Sequence, residues 1–257
     1  GPEFAYRLRI SSPRPDFALR AVPSSLSVRG GASVPLTVYA LRRDGFTNEI
    51  ALSLQDAPAG FKLGGAKVPA GQDQVRLTLL APASPTEKPL TLSVEGRATI
   101  QGRAVVHPAV PAEDMMQAFA YRHLVPAAEL NVAVSGRFMN RISLKVLSAT
   151  PVRIPAGGTA RLRVSAPARG FADRFKLELN EAPEGITLGK VSSVNEGVDI
   201  ELCSDAAKAK PGLKGNLIVN IFQGQPLTTP AKTKKQGNQR RAAVGTLPAI
   251  PFEVVQP

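Results

Sequence analysis

Residues 32–61 read ASVPLTVYALRRDGFTNEIALSLQDAPAGF, and residues 158–186 read GTARLRVSAPARGFADRFKLELNEAPEGI. Gly45-Phe46 in the first stretch answers Gly170-Phe171 in the second, and Ala57-Pro58-Ala59-Gly60 answers Ala182-Pro183-Glu184-Gly185, both at an offset of 125. Outward from there, QVRLTLLA (74–81) parallels GVDIELCS (197–204), PLTLSVEG (89–96) parallels NLIVNIFQG (216–224), and HPAVP (107–111) parallels LPAIP (247–251). Blocks repeated in one shared order mark an internal duplication.

Each block alternates apolar and polar residues with a period of two, which in a strand sends every second side chain to one face. Val34, Leu36, Val38 and Ala40 answer Ala160, Leu162, Val164 and Ala166. Ile50, Leu52 and Leu54 answer Phe175, Leu177 and Leu179. Val75, Leu77 and Leu79 answer Val198, Ile200 and Leu202, and Leu90, Leu92 and Val94 answer Leu217, Val219 and Ile221. Polar residues such as Thr37, Arg76, Arg161 and Glu201 stand between them, as they do in antiparallel sheets with one wet face. Pro and Gly recur every ~8–12 residues, the spacing of an all-β sandwich. The expected fold is therefore all-β, two tandem immunoglobulin-like antiparallel β-sandwiches. A single larger barrel or a propeller fragment is the competing architecture, and propeller blades repeat at ~40–50 residues.

The expected boundaries are residues 15–111 for the first domain, 112–140 for an ordered linker and 141–257 for the second domain, with a basic loop inserted at 226–242. Residues 1–14 read as the scar of a cleaved fusion, Gly1-Pro2-Glu3-Phe4, followed by the end of an upstream domain. In the linker, Glu113 and Asp114 before Met115, Met116 and Phe119 suggest one or two helical turns, since carboxylates favour a helix start. Those apolar residues are expected to pack on a sandwich and restrict bending between the domains. Leu130, Val132 and Val134 alternate as a further strand.

The chain of 257 residues carries a net charge of +12, and five of the cations, Lys232, Lys234, Lys235, Arg240 and Arg241, fall within one ten-residue segment. That tract is the candidate anion-binding loop. One cysteine, Cys203, excludes an intrachain disulfide framework and a cysteine-rich metal site. Cys203 alternates with Asp199 and Glu201, and negative neighbours disfavour a thiolate nucleophile. His107 and His123 have no recognised ligand spacing, no G-x-S-x-G elbow is present, and the adjacent Glu113 and Asp114 are the one acidic pair a catalytic or calcium role could use. Tryptophan is absent, so only Tyr39 and Phe222, outward by alternation, are candidate ligand platforms, with cover for an interdomain or linker contact as their other reading. No catalytic residue, metal site or cofactor is expected.

The phrases YRLRI and PRPDFALR (6–10, 13–20), GGASVPLTVYALRRDGF (30–46), VPAGQDQVRLTLLAP (68–82) and VPAEDMMQAFAYRHLVPA (110–127) resemble the Ig-like region that follows a pre-peptidase C-terminal domain in large secreted bacterial proteins. More broadly, G…VPLTV and DAPAGF are similar to NEW3-type Ig-like accessory domains. The resemblance implies an extracytoplasmic multidomain parent and carries over no catalytic residues. The resulting expectation is a non-enzymatic scaffold that spaces neighbouring domains of its parent protein. A binding module for acidic, sulfated or uronic glycans of a surface polysaccharide is the alternative, and an uncharacterised enzyme or enzyme-accessory region the third reading. Nucleic acid and direct membrane insertion are not expected.

Overall fold

The computed structural model describes residues 12–117, 121–137, 144–165, 171–195, 197–223 and 243–257. Apart from one helical turn, α1 (Phe171–Arg174), its regular structure is strand. The first half holds β1 (Asp16–Val22), β2 (Ser25–Gly30), β3 (Ser33–Arg43), β4 (Ile50–Gln55), β5 (Lys62–Gly64), β6 (Lys67–Val68), β7 (Gln74–Leu80), β8 (Leu90–Ile100), β9 (Arg103–Gln117), β10 (Tyr121–Pro126) and β11 (Leu130–Arg137). The second holds β12 (Val152–Pro155), β13 (Thr159–Val164), β14 (Phe175–Leu179), β15 (Ile186–Val194), β16 (Gly197–Ser204), β17 (Lys214–Leu217), β18 (Val219–Gln223), β19 (Gly245–Thr246) and β20 (Ile250–Val255).

First-half strands run in the order β2-β11-β8-β9-β1-β3-β7-β5, with β4 also on β8, β6 on β4 and β10 on β9. The second half forms β12-β20-β17, β13-β16-β15 and β14-β18-β19. Most pairs are antiparallel, as the alternation predicts, but β1–β9, β2–β11 and β12–β20 are parallel. Strand β9 crosses between layers: residues 103–108 pair with β8, 109–111 with β1 and 112–117 with β10.

The predicted apolar rows are the core, with Ala166 outside the described residues. Leu36, Val38, Leu77, Leu79, Leu162, Ile200, Leu202, Leu217, Val219 and Ile221 are all buried, and Val34, Leu54, Leu90, Ala160, Phe175, Leu177 and Leu179 pack against them partly buried. Burying each such large side chain contributes about 1.5–3 kcal/mol.

The duplication extends to the pairing register. Val34, Leu36 and Val38 face Leu79, Leu77 and Val75, while Ala160, Leu162 and Val164 face Leu202, Ile200 and Val198. Leu26 and Val28 pair with Val132 and Val134, as Val152 and Ile154 pair with Phe252 and Val254. The turns match as well. Asp56 and Glu181 share a left-handed backbone (φ 46° and 49°), and the glycines four residues on, Gly60 and Gly185, share another (98° and 82°).

The structure also corrects five sequence expectations. Leu92 pairs with Leu130 on β11 and Leu217 pairs with Ile250 on β20, so the counterpart of PAIP is the strand after residue 129, not PAVP. Segment 112–140 is thus no mere linker: β11 closes the first half, and residues 112–117 and 121–126 pair as the two strands of an antiparallel hairpin of that half. Glu113 and Asp114 start no helix but lie in β9. Met115 and Met116, expected to pack, are 55% and 57% exposed, on a ribbon in which β10 pairs with β9 and with no other described strand; Phe119 lies outside the described residues. A slip of two residues relates β18 to the sequence alignment: Leu54 faces Val94 where Leu179 faces Val219. An even slip keeps every side chain on its face.

Candidate functional site

Small side chains on the outer face of β3–β7–β5 let the second half approach its backbone. Thr78 is buried there, and its Oγ1 accepts a hydrogen bond from the Ala249 N–H at 2.8 Å. A Cβ on neighbouring Gly64 would stand 2.7 Å from that Oγ1 and 3.3 Å from the Ala249 nitrogen. The Asn216 amide donates to the carbonyls of Gly65 and Arg76 at 2.7 and 2.8 Å, tying β17 to two first-half segments at once. Arg76 reaches the other way, donating to the Asn180 carbonyl at 2.5 Å and its Oδ1 at 3.2 Å, with Glu181 at 3.3 Å. Gln72 adds a bond to the Lys214 carbonyl at 2.6 Å. Buried apolar residues of both halves join one core cluster.

Beside this contact lies a cleft of about 430 Å³ between Glu49, Lys67, Lys214, Asn216, Phe252 and Glu253. Its charges are matched within each half, Lys67 with Glu49 at 2.8 Å and Lys214 with Glu253 at 2.9 Å. Tyr39, half-buried, stands nearby. Burial, and after it the Asp114 carboxylate, pushes its hydroxyl up, with Arg122, Glu181 and Arg76 also in its field. It therefore sits between the hairpin and the second half rather than presenting a bare ring. Phe222 is half-buried on β18, opposite Lys176.

The remaining candidates fall into structural pairs. His107 Nε2 lies 2.8 Å from Asp16 Oδ1, and its ring meets Phe17 edge-on at 5.0 Å. Burial raises the Asp16 carboxyl, but the bonds from His107 and the Phe17 N–H, with the nearby charges of His107 and Arg43, outweigh it and hold the group below its ordinary value. His123 packs loosely on Tyr121 in the exposed hairpin. Glu113 accepts from both the N–H and the hydroxyl of Ser24, and Asp114 pairs with Arg122 at 3.2 Å, so the two carboxylates point to opposite sides of β9. Burial and Glu201 push the Cys203 thiol up, away from thiolate character. Among the described residues no three His, Cys, Asp or Glu side chains cluster as metal ligands, and no helix is long and apolar enough to cross a membrane. Lys232, Lys234, Lys235, Arg240 and Arg241 lie outside the described residues.

No family model matches the chain, and no curated protein does. Among solved structures it is similar to domains 5-6 of the S-layer protein SbsC, at 14% identity and a TM-score of 0.35, over 95% of this chain and 99% of that one. It is similar to domains 4-9 of SbsC at the same identity and TM-score, over 95% of this chain and 32% of that one.

The second half carries the counterpart of the docked face, on β13–β16–β15. Here Arg163 grips Asp199 through two bonds, Nε to Oδ1 at 2.7 Å and Nη2 to Oδ2 at 2.9 Å, with Arg161 at 3.9 Å. The Arg163 bonds hold the Asp199 carboxyl below its ordinary value of 3.8 against the upward push of burial. A depressed folded value means that the pair's contribution is complete above the ordinary value and is lost as pH falls through the folded one. Asp199→Asn is expected to cost about 1–3 kcal/mol at neutral pH, since it removes a charged, bidentate partner from a half-exposed arginine. Urea titrations should show that cost beginning to shrink below about pH 4, where unfolded Asp199 takes up a proton, and disappearing as pH falls through the lower folded value. A cost unchanged across that range would mean the bonds, not the charge, carry the pair.

Proposed function

We propose that this chain is a non-catalytic extracytoplasmic scaffold, two tandem immunoglobulin-like sandwiches that hold neighbouring domains of a larger secreted or surface protein at a fixed spacing and angle. The observation that carries this reading is the Thr78, Asn216 and Arg76 contact, in which one half hydrogen-bonds the other's backbone. A freely bending tether buries no such bonds. Small residues where the halves meet, and cleft charges neutralised within each half, favour a joint over a ligand pocket. The resemblance to Ig-like regions beside pre-peptidase C-terminal domains agrees with an extracytoplasmic parent. The acidic-glycan reading depends on residues 226–242 and so on sequence alone.

Spin labels on exposed positions of the two halves, such as Ser53 and Lys208, test the spacer directly. Double electron–electron resonance is expected to give a single narrow distance distribution in dilute solution. A broad distribution would remove the fixed-angle mechanism.

A further inference from the structure

We infer that Arg42, whose partners all lie in the first half, is a positioning residue for the joint: it holds the loop that carries Gln72 to the second half, and so limits rocking between the two. This deepens the spacer reading and rests on it. The Arg42 side chain is 9% exposed. Its Nε donates to the Gln72 carbonyl at 2.9 Å, Nη2 to the Pro69 carbonyl at 3.1 Å and Nη1 to the Asn48 carbonyl at 2.7 Å, so one planar fork closes on two loops, 44–49 and 69–73. The centre of the guanidinium lies 5.2 Å from the centroid of the buried Phe46 ring, which stacks in turn on Phe17 at 5.4 Å. Asp73, at 3.6 Å, supplies an opposite charge. The Gly71 N–H donates to the Thr47 carbonyl at 2.8 Å and ties the same two loops a second time. A rigid fork of N–H donors can meet three carbonyls at once, which an ammonium on a flexible stem cannot.

The loop held in this way is one that faces the second half. The Gln72 side chain donates to the Lys214 carbonyl at 2.6 Å, and Pro69 and Glu49, the residue after Asn48, line the first-half wall of the cleft. Ordering a glutamine for one hydrogen bond costs the freedom of its side-chain torsions, and a loose loop would add the freedom of its backbone. By bonding the Gln72 carbonyl, Arg42 removes the second cost. The place of that bond gives it leverage. Along β17, Lys214 stands two residues from Asn216, while Ala249 lies past the other end, next to the Leu217–Ile250 pair. Asn216 therefore holds the middle of the row and Gln72 one end. A contact at the end of a row resists rocking about its middle, which the middle contact permits.

The test uses the full chain with the spin-label pair on Ser53 and Lys208, and a second pair confined to the first half, on the exposed positions Ser27 and Arg103. Arg42→Lys keeps a positive charge near Asp73 and loses the fork. It is expected to abolish the single narrow distance peak between the halves and to leave the first-half pair as sharp as in the parent. Gln72→Ala, which spares the Gln72 carbonyl, is expected to broaden the distribution between the halves as well. Combining the two should add nothing to Arg42→Lys, because both act on one contact. A narrow peak between the halves in Arg42→Lys, or a double variant that broadens by the sum of the singles, would overturn the proposal. So would broadening of both label pairs together, which would make Arg42 a support of the first half's own fold. A broad distribution between the halves of the parent would instead remove the spacer reading, and this inference with it, before any variant is compared.

Discussion

Gly65→Val separates the two halves without unfolding either. Gly65 has φ +70°, a conformation valine rarely adopts, and a Cβ there would stand 2.3 Å from the Asn216 amide nitrogen. The amide has to leave, taking its bonds to the Gly65 and Arg76 carbonyls with it. Two bonds lost across a buried joint, plus backbone strain, amount to about 2–5 kcal/mol. The rows of core residues in each half are untouched. Calorimetry is expected to resolve two transitions where the parent shows one, and small-angle scattering to report a larger radius of gyration. A single transition with unchanged scattering would show that the halves are held by something other than Asn216.

Truncating one leucine from each of two corresponding cross-strand pairs tests the duplication energetically. Leu77 and Leu162 are both fully buried, in corresponding pairs with Leu36 and Ile200. Leu77→Ala and Leu162→Ala are each expected to cost about 2–5 kcal/mol in denaturant unfolding, from lost transfer free energy and the cavity left behind. Leu177, only partly buried, should lose markedly less on the same substitution. Near-equal costs at Leu77 and Leu177 would mean that the second half repacks around β14 in solution.

These cores were readable because burying one face of a strand writes a period of two into the sequence, as at Val34, Leu36 and Val38. Which strand lies next to which leaves no such trace. The parallel pairings of β1 with β9 and β2 with β11 were therefore invisible, and the resemblance of PAVP to PAIP pointed to the wrong closing strand. Glu113 and Asp114 misled because a carboxylate pair suits a helix start as well as two sides of a strand, where Ser24 and Arg122 now satisfy them. The joint was harder still. Thr78 and Asn216 alternate as wet-face residues do, and the groups they bind are backbone, which every residue has. One signal was available: Pro35, Thr37 and Gly65 stand where the repeat puts Arg161, Arg163 and Lys190. A face that loses its charges in one copy alone is a face that has been covered.

The parallel pairs bear on what happens when the chain is pulled. Within each half an early strand lies parallel to the last one, β2 beside β11 and β12 beside β20. Tension applied at the entry of that early strand and the exit of the last runs along both in opposite senses, so the rungs of the ladder are loaded together in shear. In an antiparallel pair joined by a turn, tension at the two free ends peels the rungs open one at a time. Shearing requires several bonds to fail at once, and the rate of that failure, rather than equilibrium stability, governs survival under force. Extension of either half along its length is thus expected to meet this collective resistance.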